Sequence, residues 1–293
     1  MDARPAASAP NESAKPVDLF TVQDVIAADA DAWREGDRWL GGGTHLFAQP
    51  QPQARRLRDL TALAWPPLRL SPDPAEPGLD IAATCTVAEL SRYAPPPHWP
   101  SLGPLVRGCC DAFLASFKVW NVATVGGNLC AALPAGPMIS LVTAAAGSCL
   151  IRDLAGRRRR VPAAELVRDV GVTVLRPDEY LHTIRLPARV LGGRFALRRA
   201  SLHPLGRSAA LVVGHRDPDT GAVTLTVTAA TRRPVGIALP GPPRPGELAE
   251  LLDARIPAGD WHDDVHGLPA WRRRMTLRLA EQVRAELAQV TAR

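Results

Sequence analysis

Two glycine-rich bends set the tightest limit on how this chain folds. One is WLGGGTHL, Trp39 to Leu46; the other lies within NVATVGGNLCAALPAGPM, Asn121 to Met138. Glycine lets backbone N–H groups approach an anion that a Cβ would block. At a helix start those N–H groups also lack intrahelical acceptors and face the positive end of the dipole. Gly41, Gly42, Gly43 and Thr44 suit a phosphate from one side, Thr44 adding a hydroxyl. Thr124, Val125, Gly126, Gly127 and Asn128 suit it from the other. Neither bend has the spacing G-x-G-x-x-G or G-x-x-x-x-G-K-[ST], which excludes the Rossmann fingerprint and the Walker loop. A tight turn without a ligand stays open for either bend taken alone.

The 293 residues are enough for a sizeable core, and 46% hydrophobic with 22% charged residues is an ordinary globular balance. No apolar run approaches the roughly 20 residues of a membrane span. Residues 1–17 are polar, rich in Ala, Pro and Ser, and lack the apolar stretch of a secretory signal, so they read as a disordered arm. The net charge of +6 rests on arginine, the only lysines being Lys15 and Lys118. The arginines are scattered, and the one dense run, Arg157 to Arg160, follows a turn, favouring a solvated hairpin over nucleic acid. Cys85, Cys109, Cys110, Cys130 and Cys149 show no zinc or iron–sulfur spacing, and the seven histidines are dispersed, so no metal site is expected. Reduced, buried thiols point to a cytoplasmic protein.

Along the chain, residues 18–46 read as a short strand, a helix from about Val22 and a strand ending in the glycines. Thr86 is placed to cap a helix, with Glu89 at the capping-box position. Leu102, Leu105, Val106, Cys109 and Phe113 have helical spacing. PMISLVTAAAGSCLIRD reads as a helix passing into a strand. The segment 195–237 reads as a helix flanked by strands with DPDTG as a hairpin turn, and the chain ends in an amphipathic helix. The whole is α+β without a βαβ repeat, cut near Leu79 and Pro187 into units 18–78, 79–187 and 188–293.

Beyond the bends themselves, LDIAATCTVAEL, GVTVLRPDEYLHTIRLP, TAATRRPVGI and AWRRRMTLRLAEQVRAEL extend the pattern over roughly residues 18–290. With WLGGGTHL and NVATVGGNL, they make the chain resemble the FAD-binding medium subunit of molybdenum hydroxylases. That family includes the flavin domain of xanthine dehydrogenase and the medium subunit of carbon monoxide dehydrogenase. The resemblance implies two FAD-embracing subdomains of the vanillyl-alcohol oxidase type plus a C-terminal α/β domain. It implies electron transfer to NAD, oxygen or another carrier, and two partners, a small [2Fe–2S] subunit and a large molybdopterin subunit. No catalytic acid or base is implied, because the flavin supplies the redox chemistry.

Residue by residue, the resemblance places the FAD diphosphate on Gly41, Gly42, Gly43, Thr44, His45 and Leu46, and on Thr124, Val125, Gly126, Gly127 and Asn128. It adds Leu181 and Arg198 as cofactor contacts, against readings as a core leucine and a surface arginine. His45 replaces the family's usual aspartate, Trp120 an arginine, and Pro137 an aspartate that bonds the cofactor's sugar. Losing that carboxylate removes a charge-assisted hydrogen bond worth about 1.5–3 kcal/mol. FAD held more weakly than in the family, and a structural subunit of the same fold without flavin, are both compatible with these departures. A stand-alone flavoenzyme such as the reductase that makes UDP-N-acetylmuramate lacks support, since its C-terminal motifs are missing.

Overall fold

Residues 24–27 carry the β-branched pair Val25 and Ile26 and form a strand, β1 (Asp24–Ala27), where a helix from Val22 was expected. Parallel pairing with the strand Arg56–Asp59 decides the matter: Val25 sits opposite Leu57 and Ile26 opposite Arg58. With β2 (Asp37–Leu40) and β3 (Arg56–Asp59) it makes a three-stranded parallel sheet in the order β1-β3-β2. This computed structural model describes residues 21–48 and 50–289. The arm expected over residues 1–17 lies outside them.

The second sheet is antiparallel. It draws on β4 (Leu68–Leu70), β5 (Gly78–Ala82), β6 (Ser148–Asp153) and β7 (Arg158–Pro162). A short ribbon, β8 (Val167–Asp169) with β9 (Val172–Thr173), leads to its long central strand β10 (Glu179–Pro187). The order is β4-β5-β10-β6-β7. β4 precedes the expected boundary at residue 79 and yet is an edge strand of this sheet.

Between β5 and β6 the chain winds through α1 (Val87–Ser91), α2 (Leu102–Asp111), α3 (Phe117–Trp120), α4 (Val125–Cys130) and α5 (Pro137–Ala144). The capping box of α1 is formed: Glu89 N donates to Thr86 Oγ1 and Thr86 N to Glu89 Oε2. Leu79, Ile81, Ile151, Leu181 and Ile184 from the sheet meet Leu90, Leu102, Leu105, Leu129 and Leu141 from these helices in the larger core.

Short helices α6 (Ala163–Leu166) and α7 (Ala188–Leu191) precede the third sheet. It is an antiparallel meander of β11 (Arg194–Ala200), β12 (Ala210–Arg216), β13 (Val223–Thr228) and β14 (Val235–Leu239). No helix falls in this stretch among the described residues, contrary to the sequence reading; DPDTG is the turn between β12 and β13. The central strand β12 is buried on both faces. Leu211 and Val213 join the larger core beside α5, while Ala210 and Val212 join a second core under α8 (Leu248–Arg255) and α9 (Pro269–Ala288). An apolar run buried on both sides carries no alternation to separate strand from helix.

α9 carries a buried arginine at its start. Arg272 donates to the carbonyls of Gly267, Ala209 and Ala229 and pairs with Asp264. The Ala229 N–H in turn reaches Pro134 O at 2.8 Å, tying the third sheet to the loop before α5.

Candidate functional site

β2 delivers the first glycine bend, and a buried ion cluster holds β2. Asp37 accepts from Arg56 Nε at 2.8 Å and from Arg58 Nε at 2.6 Å. Arg58 is fully buried, donates to Ala28 O, and lies over the rings of Trp33 and Trp39. Burial by itself would push the Asp37 carboxyl up; the hydrogen bonds from Arg56 and Arg58 overcome it and hold it well below the usual carboxylate range. The three-stranded sheet offers little apolar core, so this cluster fixes the direction in which Gly41 leaves the strand.

The two bends touch. A Cβ on Gly41 would stand 3.1 Å from Thr124 Oγ1, and one on Gly42 would stand 1.6 Å from Val122 O. Only glycine at position 42 lets the two segments lie this close. Gly43 has a φ of +71° and runs under the ring of Phe47.

Their hydrogen bonding differs sharply. None of the N–H groups of Gly41, Gly42, Gly43, Thr44, His45 or Leu46 donates to an acceptor among the described residues, and the Thr44 hydroxyl has none either. His45 is exposed and the other five residues are half-buried, so these N–H groups are open to a ligand or to solvent. A run of six without protein acceptors, in a bend with a left-handed glycine, has the donor set that anionic oxygens require.

The second segment spends its donors internally. Val125 N donates to Cys85 O at 2.8 Å, Gly126 N to Ala83 O at 2.9 Å, Gly127 N to Thr124 Oγ1 at 3.0 Å, and Asn128 N to Thr124 O at 3.0 Å. This corrects the expectation that these four amides grip a diphosphate. A Cβ on Gly126 would stand 2.6 Å from Ala83 Cβ, so this glycine serves close packing on the β5–α1 turn. Of the segment's backbone donors only Thr124 N–H lacks an acceptor among the described residues, and Thr124 Oγ1 faces Gly41. Asn128 turns away: its Oδ1 accepts from Met138 N at 3.1 Å and caps α5.

The remaining residues of the sequence reading are placed as follows. Leu181 is 2% exposed and faces the core, while His182, next along β10, faces outward against Trp65 at 4.4 Å between ring centroids. Arg198 lies on β11 in an open groove of about 780 Å³ beside α9, where Nη2 meets Glu286 at 2.7 Å. No residue of either glycine segment is among its partners. Pro137 is buried at the first position of α5, and the buried indole N–H of Trp120 has no acceptor among the described residues.

Sequence reasoning missed an aromatic group beside the first bend. Trp39 donates from Nε1 to Pro177 O and lies 4.9 Å from Tyr180, which stacks on Trp65 at 6.0 Å. The signal available was the strand alternation around Leu181, which turns Tyr180 and His182 to the face opposite the core.

The residues of the first bend fit a dinucleotide's diphosphate. Their N–H run and the Thr44 hydroxyl are donors without acceptors, and the contact with Thr124 closes one side. The family described as the FAD binding domain in molybdopterin dehydrogenase matches residues 13–189, more than half of the chain. The protein belongs to that family: it is an α+β, FAD-binding component of an oxidoreductase.

Solved structures share the fold. Quinoline 2-oxidoreductase from Pseudomonas putida 86 superposes with a TM-score of 0.73 at 18% identity, over 91% of this chain and 96% of that one. Carbon monoxide dehydrogenase from Oligotropha carboxidovorans gives 0.72 at 19% identity, over 87% and 90%. The Hydrogenophaga pseudoflava carbon monoxide dehydrogenase gives 0.70 at 19%, over 85% and 88%. Among curated proteins none matches this chain by sequence. No helix among the described residues is long and apolar enough to cross a membrane.

Proposed function

We propose that this chain is the flavin-carrying electron-transfer subunit of a three-subunit molybdenum hydroxylase. Its partners are a small subunit with [2Fe–2S] clusters and a large molybdopterin subunit that selects the substrate. The observation carrying this reading is the run of N–H groups from Gly41 to Leu46 without protein acceptors, closed by Thr124. FAD, when bound, supplies two-electron chemistry and exchanges single electrons with clusters and carriers. The chain's own contribution is binding and orientation. The first bend and Thr124 hold the diphosphate, the Asp37–Arg58 cluster fixes that bend, and the second glycine segment clamps β5 to the bend.

The division of the chain belongs to the same proposal: a leading arm, two cofactor-embracing units and a C-terminal unit, with the first boundary moved to the segment between β3 and β4. So does a cytoplasmic location. The test is purification of the chain alone and with its neighbours. Yellow protein is expected, releasing FAD on denaturation and co-purifying with a larger partner that contains molybdopterin and a smaller one that contains iron. Colourless protein that takes up no added FAD contradicts it.

A further inference from the structure

The outer face of the five-stranded sheet carries two arginines with no ion-pair partner among the described residues; the carboxylates Asp29, Asp80 and Asp153 act on the adjoining Tyr180 and His182 only through their fields. Strand register sets Arg152 of β6 directly opposite Arg158 of β7 on one side and Tyr180 of β10 on the other, so the three form one row. Among the described residues neither the Arg152 nor the Arg158 side chain has a hydrogen bond or an ion pair. Their neighbours on the same sheet are all engaged: Arg185 and Arg69 with Asp80, Arg159 with Glu179, Arg157 with Asp153. Like charges directly opposite on adjacent strands destabilise a sheet. Two opposed arginines without a direct ion pair are therefore a feature that an anion would relieve.

The row ends on an aromatic shelf flanked by Trp39, 4.9 Å from Tyr180. Tyr180 and Trp65 stack within 16° of parallel, and His182 lies against Trp65. All three rings are half-buried. The His182 imidazole is held at about 4, first by burial and then by the fields of Arg152, Arg158 and Arg69. Those three cations thus converge on the shelf, and the imidazole stays a neutral, stackable ring at neutral pH.

We propose that Arg152, Arg158 and the Trp65–Tyr180–His182 shelf form a second nucleotide site, distinct from the cradle at Gly41–Leu46. Two guanidinium groups side by side match adjacent phosphates. A half-buried stacked pair matches a planar base. The ligand class is a nucleoside diphosphate, free or as part of a larger carrier. Trp65 lies just before β4 and the other four residues on β6, β7 and β10, so the site uses no residue of Gly41–Leu46, although Trp39 flanks it.

The test titrates ADP and inorganic pyrophosphate into the full chain saturated with FAD, followed by calorimetry and tryptophan fluorescence. One ADP per chain is expected, with pyrophosphate binding more weakly. The double variant Arg152→Gln/Arg158→Gln should lose at least tenfold in affinity for both probes while its flavin content stays unchanged. Arg152→Lys/Arg158→Lys, which keeps the charge, should retain most pyrophosphate binding. Both changes lie at the sheet surface, and an unaltered melting temperature confirms the fold. Absence of ADP binding to the wild-type chain overturns the proposal. So does an unaffected Gln variant, or one that loses FAD instead, since the arginines would then serve the flavin. Chain that takes up no FAD but still binds one ADP through these arginines contradicts only the flavin assignment.

Discussion

The α-carbon of Gly42 presses against the carbonyl of Val122, so that a methyl group there would stand 1.6 Å from the oxygen. This contact joins residues 80 positions apart and sets the distance between the two glycine segments. Gly42→Ala must separate them, at about 2–3 kcal/mol of stability by analogy with overpacked cores. FAD affinity should fall at least tenfold with it. Gly236→Ala, where an added Cβ meets nothing within 4 Å, should change stability by no more than about 0.5 kcal/mol. Denaturant melts and a flavin titration of both variants check this.

Asp37 is the anion between Arg56 and Arg58, and Arg58 has no route to water. Asp37→Asn leaves a buried guanidinium without its counter-charge and should cost about 3–5 kcal/mol. Because the cluster orients the bend, flavin retention should drop in the surviving folded fraction. Urea unfolding read at the tryptophans near Arg58 measures the first effect.

Acid stability has two windows. His182 titrates at about 4 in the folded chain and near 6.5 when unfolded, so the unfolded state binds more protons between these values. Stability is therefore lost as pH falls from 6.5 towards 4. Glu179 is lowered to about 2, first by the hydrogen bond from Arg159, against an ordinary value of 4.5. Its contribution is complete above 4.5 and disappears as pH falls through about 2. His182→Leu should make the upper window shallower, His215 and His262 keeping a share of it, and Glu179→Gln the lower one, which lowered aspartates such as Asp37 share, in melting temperatures recorded from pH 7 to pH 2.

Arg198 separates the geometry from the family resemblance. Its partner is Glu286 on α9, and both side chains are more than a third exposed. Arg198→Ala should change stability by no more than about 1 kcal/mol. It should leave FAD affinity unchanged, which equilibrium dialysis of the variant tests.

What could be read from the residues was what short stretches decide by themselves. The Thr86–Glu89 box is local, and so is the helical spacing from Leu102 to Cys109. The glycine bends announced themselves because nothing but glycine tolerates such approach. The strand Asp24–Ala27 was misread because its partner lies 32 residues on, and β12 because both of its faces are covered. The second segment was given the wrong task for a related reason. Whether Val125 and Gly126 have free N–H groups depends on the carbonyls of Cys85 and Ala83, some 40 residues earlier. The shelf joins Trp65 to Tyr180 and His182, far apart in sequence, and so exists only once β10 has taken its place in the sheet.

The central claim is that the backbone of Gly41–Leu46 grips the two phosphates of the cofactor. Calorimetric comparison of FAD with riboflavin, which lacks both, tests it most directly. Two or more hydrogen bonds to charged oxygens, at about 1.5–3 kcal/mol each, require FAD to bind at least about 100-fold more tightly. Equal affinities for the two flavins would contradict the account.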